Sequence, residues 1–143
     1  MCAYRVSKRI LIIDDDLDLL MLLERRLQKE GYAIETAASL SEAEEVIDYF
    51  SPHLVLLDIN VNGEDGRKLC WKLKKEDNKE VKVVIMSGYD YDTGRAVLFG
   101  ADDLLQKPLH AEYLLHRVDT HLQQAAPVNL IPFTAATMKN NKE

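Results

Sequence analysis

The chain has 143 residues, of which 24 are acidic and 18 basic, giving a net charge of −6. That length suits one domain with a single core, and 47% hydrophobic content excludes a wholly disordered chain. A net-acidic chain argues against holding nucleic acid through phosphate contacts, so direct nucleic-acid binding is not expected.

Apolar runs alternate with helical patterns. Arg9-Ile10-Leu11-Ile12-Ile13 is a short, β-branched run that stops at Asp14-Asp15-Asp16. Such runs read as strands buried on both faces. Leu17 to Lys29 carries Leu20, Leu23 and Leu27 at helical spacing, and Gly31 is a stop signal. Ala33 to Ala37 is a weaker second strand. Ser41 with Glu44 has the spacing of a capping box, opening a helix to about Phe50.

Pro52 precedes a third strand, Leu54-Val55-Leu56-Leu57, which stops at Asp58. A loop with Asn60, Asn62, Gly63 and Gly66 leads into a helix through Leu69 and Leu73 to Lys75. Val81 to Met86 is the fourth strand, ending at Ser87-Gly88. A short helix is expected over 93–99. Asp103 to Gln106 is a fifth strand, ending at Lys107-Pro108, and Glu112 to Gln124 is the last helix. The domain therefore spans 8–124. Residues 125–143 read as a mobile tail or linker stub; docking of Val128, Leu130, Ile131 and Phe133 on the domain is the alternative. The fold class is α/β: a single doubly wound, five-stranded parallel sheet with helices on both faces.

In such sheets ligands bind beyond the carboxyl ends of the strands, at the topological switch point. Four of the five strands end in polar groups: Asp14 and Asp15, Asp58, Ser87, and Lys107. At about 4 Å and an effective dielectric of about 20, each carboxylate pair costs roughly 4 kcal/mol. The cluster must protonate or hold a cation. Lys107 supplies one charge, and a divalent ion supplies two more. Carboxylate oxygens without His or Cys favour Mg²⁺. A metal, a lysine, a hydroxyl and a spare carboxylate are what phosphoryl transfer to an aspartate needs.

Taken in order, Ile10-Leu11-Ile12-Ile13-Asp14-Asp15-Asp16, Leu54-Val55-Leu56-Leu57-Asp58-Ile59 with Gly66, Val84-Ile85-Met86-Ser87-Gly88, and Gly100-Ala101-Asp102-Asp103 with Lys107-Pro108 resemble the receiver domain of bacterial response regulators. The resemblance runs from about Lys8 to Gln124. It implies a flavodoxin-like, chemotaxis-regulator-like fold with strand order 2-1-3-4-5. It implies that Asp58 is the phospho-acceptor, supplied by a sensor histidine kinase or a phosphotransfer protein. It implies Asp15 as a direct Mg²⁺ ligand, Asp14 as one acting mainly through water, and the backbone carbonyl of Asn60 as another. Ser87 and Lys107 would hold phosphoryl oxygens, and Lys107-Pro108 would be cis, as is common in the family. Output would be a downstream protein target met through a surface that switches on phosphorylation. Asp102, Asp103 and Arg117 could join a charged interface in a phosphorylation-dependent dimer.

The sequence departs from the family at three places. Asn62 stands where proline is usual, four residues after the acceptor, which predicts a looser turn and altered magnesium affinity. Leu104 replaces the usual aromatic switch residue of the fifth strand, and Tyr89 or Tyr91 is left as a coupling residue. The segment between Ser87 and Gly100 is shorter than usual.

Plainer roles stand beside these. Asp16 and Asp18 read as a helix N-terminus. His53, His110, His116 and His121 lack metal-ligand spacing and read as surface residues. Cys70 reads as a partly buried small residue, Trp71 as a surface or groove contact, and Lys72, Lys74 and Lys75 as a solvated face. Cys2 and Cys70 make no disulfide framework, which suits a cytoplasmic protein. Arg5, Lys8 and Arg9 argue against a signal peptide, and no apolar run is long enough to span a bilayer. The chain is expected to be a switch rather than a turnover enzyme, either stand-alone or a receiver from a larger regulator or hybrid kinase. An aspartate-based phosphohydrolase of the haloacid-dehalogenase type is the alternative of another class; it wants a second aspartate where Asn60 stands. A flavin carrier needs a hydroxyl-rich phosphate loop, which Asp14-Asp15-Asp16 contradicts.

Overall fold

The computed structural model describes residues 7–76, 80–88 and 99–123. All of the expected helix over 93–99 except Phe99, which lies in a turn, falls outside the described residues, as do Tyr89, Tyr91, Cys2, Gln124 and the segment 125–143.

Five parallel strands form the sheet: β1 (Arg9–Ile13), β2 (Ala33–Ala37), β3 (Leu54–Asp58), β6 (Lys82–Ser87) and β7 (Asp103–Gln106). Their order is β2-β1-β3-β6-β7. A small antiparallel hairpin, β4 (Asn60–Val61) and β5 (Glu64–Asp65), interrupts the count. Without it the order is the expected 2-1-3-4-5. Among the described residues four α-helices accompany the strands: α1 (Leu17–Lys29), α2 (Leu40–Phe50), α3 (Arg67–Trp71) and α4 (Ala111–Leu122).

Alternation within the strands builds two cores. Leu11, Ile13, Val55, Leu57, Val83 and Ile85 pack with Ala43, Val46 and Ile47 of α2 and Leu69 and Cys70 of α3. Ile10, Ile12, Leu54, Leu56, Val84 and Met86 pack with Leu20, Leu23 and Leu27 of α1 and with Leu114, Leu115, Val118 and Leu122 of α4. β1, β3 and β6 are thus covered on both faces, which explains their unbroken apolar runs. The edge strands are less enclosed: only Ala37 of β2 and Leu105 of β7 are buried.

Several local expectations change. Ser39, not Ser41, caps α2: its hydroxyl accepts from the Glu42 N–H at 3.1 Å, and the Glu42 carboxylate accepts from the Ala38 N–H at 3.0 Å. Ser39 and Glu42 share the three-residue spacing of Ser41 and Glu44, so spacing alone did not choose between them. α3 is α-helical only to Trp71, with a π-helical turn over Lys72–Glu76. Lys74 in that turn bonds the Val81 carbonyl and the Asp102 carboxylate, both at 2.9 Å, so it is no solvated-face lysine. Asp102 also accepts from the Val83 N–H at 2.8 Å. Asp103 pairs with Arg117 at 2.5 Å and His121 at 2.9 Å, so both aspartates hold internal partners. Tyr32 donates its hydroxyl proton to Asp119, linking the α1–β2 turn to α4.

Candidate functional site

The site forms where β1 and β3 lie side by side, with Ile13 opposite Leu57. The next residues of each strand, Asp14 and Asp58, are buried. Asp15 is exposed. Asp14, Asp15 and Asp58 each offer a carboxylate oxygen, and these oxygens lie within 4.8 Å of one another. Lys107, just beyond β7, brings its ammonium to 2.6 Å from Asp14 and 3.6 Å from Asp58. The Lys107–Pro108 peptide is cis, and the Lys107 N–H donates to the Ser87 carbonyl at 2.6 Å. Ser87 ends β6 and is fully buried.

Local structure fixes each group. The Asp14 carboxylate accepts from the Asp16 N–H at 3.0 Å, and Asp16 caps α1 by accepting from the Leu19 N–H. Asp16 is therefore the helix cap, while Asp14 and Asp15 are free to face the cluster. Gly66 lies against Asp58: a Cβ there would collide with the Asp58 carbonyl oxygen and crowd Leu57. Only glycine permits that approach.

Burial pushes the Asp58 carboxyl above its ordinary value, and the charges of Asp14 and Asp15 add to the push. Lys107 and the Asn60 N–H oppose it without cancelling it. Burial pulls the Lys107 ammonium down, but its bond to Asp14 and the charges of Asp14 and Asp58 outweigh that and hold it above the usual lysine value. Asp58 thus binds a proton more readily folded than unfolded. Its contribution to stability is full below about pH 3.8 and is lost as pH rises through the raised folded value. In chelator, Asp58→Asn should therefore raise the urea midpoint at pH 7 more than at pH 4. An equal gain at both pH values would contradict the burial argument.

The donor set fits a hard divalent cation. Three carboxylates and one ammonium leave two negative charges, and every side-chain donor is oxygen. Asp14, Asp15 and Asp58 are the residues that would hold it. Among the described residues no histidine joins this cluster. His53 accepts the Arg9 N–H at 2.9 Å, and burial with Arg9 and Lys8 nearby lowers its pKa. His121 pairs with Asp103. Both are partly buried, not simple surface residues. Cys70 is fully rather than partly buried, and burial pushes its thiol up to about 12, which leaves it inert near neutrality. Trp71 is exposed, as expected.

The loop after Asp58 is a tight hairpin rather than the looser turn expected. Asn62 and Gly63 both have positive φ, 54° and 83°, between paired strands Asn60–Val61 and Glu64–Asp65. This is the arrangement a two-residue Asn-Gly hairpin requires. The turn is bonded, not loose: the Gly63 N–H meets the Asn60 side chain at 3.0 Å, the Asn62 side chain donates to the Ala38 carbonyl at 3.0 Å, and the Asn62 N–H donates to Asp15 at 2.8 Å. The Asn62-Gly63 dipeptide was the available signal.

A doubly wound sheet with carboxylates converging from two strands at its switch point defines an α/β domain with an acidic ligand site. The family model of the response regulator receiver domain matches residues 10–119, and the chain belongs to that family. A two-component response regulator from Clostridium difficile is similar at 32% identity and TM-score 0.77, covering 82% of this chain and 98% of that one. The BeF3-activated N-terminal receiver domain of Klebsiella pneumoniae RstA is similar at 31% and 0.75, covering 82% and 100%. The receiver domain of NtrX from Brucella abortus is similar at 32% and 0.74, covering 81% and 99%. No helix among the described residues is long and apolar enough to cross a membrane.

Proposed function

We propose that this receiver accepts a phosphoryl group on Asp58 and passes the change on through a protein-interaction surface. The observation that carries the reading is the convergence of Asp14, Asp15, Asp58 and Lys107 at one point of the sheet edge. The Asp58 carboxylate attacks phosphorus in line, the bond from phosphorus to the donor atom breaks, and an acyl phosphate forms. Lys107 is within reach of Asp58 and meets the negative charge the arriving group brings. Ser87, at the end of the neighbouring strand, supplies a hydroxyl for a phosphoryl oxygen. Asp14, Asp15, Asp58 and the Asn60 carbonyl would hold Mg²⁺, which would supply positive charge at the site. The chain acts as a switch, with turnover limited to its own phosphorylation and dephosphorylation.

A sensor histidine kinase or phosphotransfer protein is the donor in this reading, and a downstream protein is the target. α1 begins two residues after Asp15 and exposes Leu17 and Met21 one turn apart, an apolar pair that would suit a docking partner. Intact mass after incubation with acetyl phosphate tests the chemistry. One added phosphoryl group with Mg²⁺, lost with chelator, is the expected result. No adduct from acetyl phosphate or from any phosphorylated donor protein would sink it.

A further inference from the structure

The hairpin behind Asp58 does more than close a loop. Asp15 is the one exposed carboxylate of the cluster, so packing alone does not hold it. Its Oδ2 accepts the Asn62 N–H at 2.8 Å, across 47 residues of sequence. Two features make that bond available: Asn62 is left-handed, with φ 54°, and it has an N–H to give. Asparagine tolerates that conformation better than most residues. A proline, fixed near −65° and lacking the N–H, could supply neither. The Asn62 side chain also bonds the Ala38 carbonyl. Ala38 in turn donates to Glu42 at the start of α2. The turn is thereby anchored to the connection between β2 and α2.

We infer that Asn62 is a positioning residue for Asp15: its left-handed backbone holds the Asp15 carboxylate in place for a divalent cation. The bond occupies one face of Oδ2 and leaves Oδ1 with its lone pairs. A carboxylate oriented in advance gives up less freedom when the ion arrives. This inference rests on the magnesium site of the proposed function and adds the device that prepares it.

The test is calorimetric titration of the full chain with Mg²⁺, a binding readout independent of phosphorylation, alongside thermal unfolding in chelator. Asn62→Gly keeps the N–H and the left-handed turn, and its affinity should stay within about twofold of the parent. Asn62→Pro removes both, and affinity should fall about tenfold, the effect of one hydrogen bond to a charged group. Asn62→Val keeps the N–H but resists positive φ, and it should weaken binding in the same direction should Asn62→Pro fail to fold. In an Asp15→Ala background the Asn62→Pro or Asn62→Val loss should vanish, because the effect passes through that carboxylate. A general loosening of structure would instead persist there and lower the unfolding temperature in step. Parental affinity in both Asn62→Pro and Asn62→Val overturns the positioning role and leaves the metal site intact. A parent chain that binds no Mg²⁺ overturns the metal site and this inference with it.

Discussion

Asp58→Asn should take up no phosphoryl group under any condition that labels the parent chain. The substitution keeps the size of the side chain and removes the nucleophilic oxygen pair. Asp58 is buried at the end of a strand enclosed on both faces, so the amide should stay in place. The variant should also be more stable than its parent in chelator, because it removes one of three crowded carboxylates. Intact mass and a urea melt measure both. A full-rate adduct in the variant would move the acceptor to another residue.

Lys107→Ala should produce the largest loss of stability at the site. The Lys107 ammonium touches the buried Asp14 carboxylate and lies close to Asp58. Removing the partly exposed partner of a buried carboxylate leaves that charge uncompensated, a loss of up to about 3 kcal/mol. Millimolar Mg²⁺ should recover much of it by occupying the same negative field, and it should stabilise the variant more than the parent. Labelling of Asp58 should continue in the variant, but the conformational response, read by hydrogen exchange, should not follow. Equal melting of variant and parent in chelator would show that the pair contributes nothing.

The sequence was most legible where burial is continuous. The runs at Ile10–Ile13, Leu54–Leu57 and Val83–Met86 face cores on both sides, so their chemistry marks them and their ends mark the site. Asp14, Asp15, Asp58 and Lys107 followed because a polar group that ends such a run has one edge to occupy. Legibility failed where short-range geometry decides. The Ser39 and Ser41 caps are indistinguishable by spacing, and only the extended backbone of Ser39 settles the matter. The absence of proline at Asn62 predicts a looser turn, whereas the Asn62-Gly63 dipeptide itself builds a tight one. The partners of Asp102, Asp103, His53 and His121 depend on contacts between distant elements, which periodicity does not encode.

The two-sided packing has a mechanical consequence. β1, β3 and β6 are clamped from above and below, so the carboxylates stand on a stiff platform whose displacement would disturb both cores at once. β7 is different: Leu104 is only half-buried, and the strand is tied inward through the Lys107 N–H and the Ser87 carbonyl. An aliphatic side chain at Leu104 can change its packing there without a ring swinging through the fold.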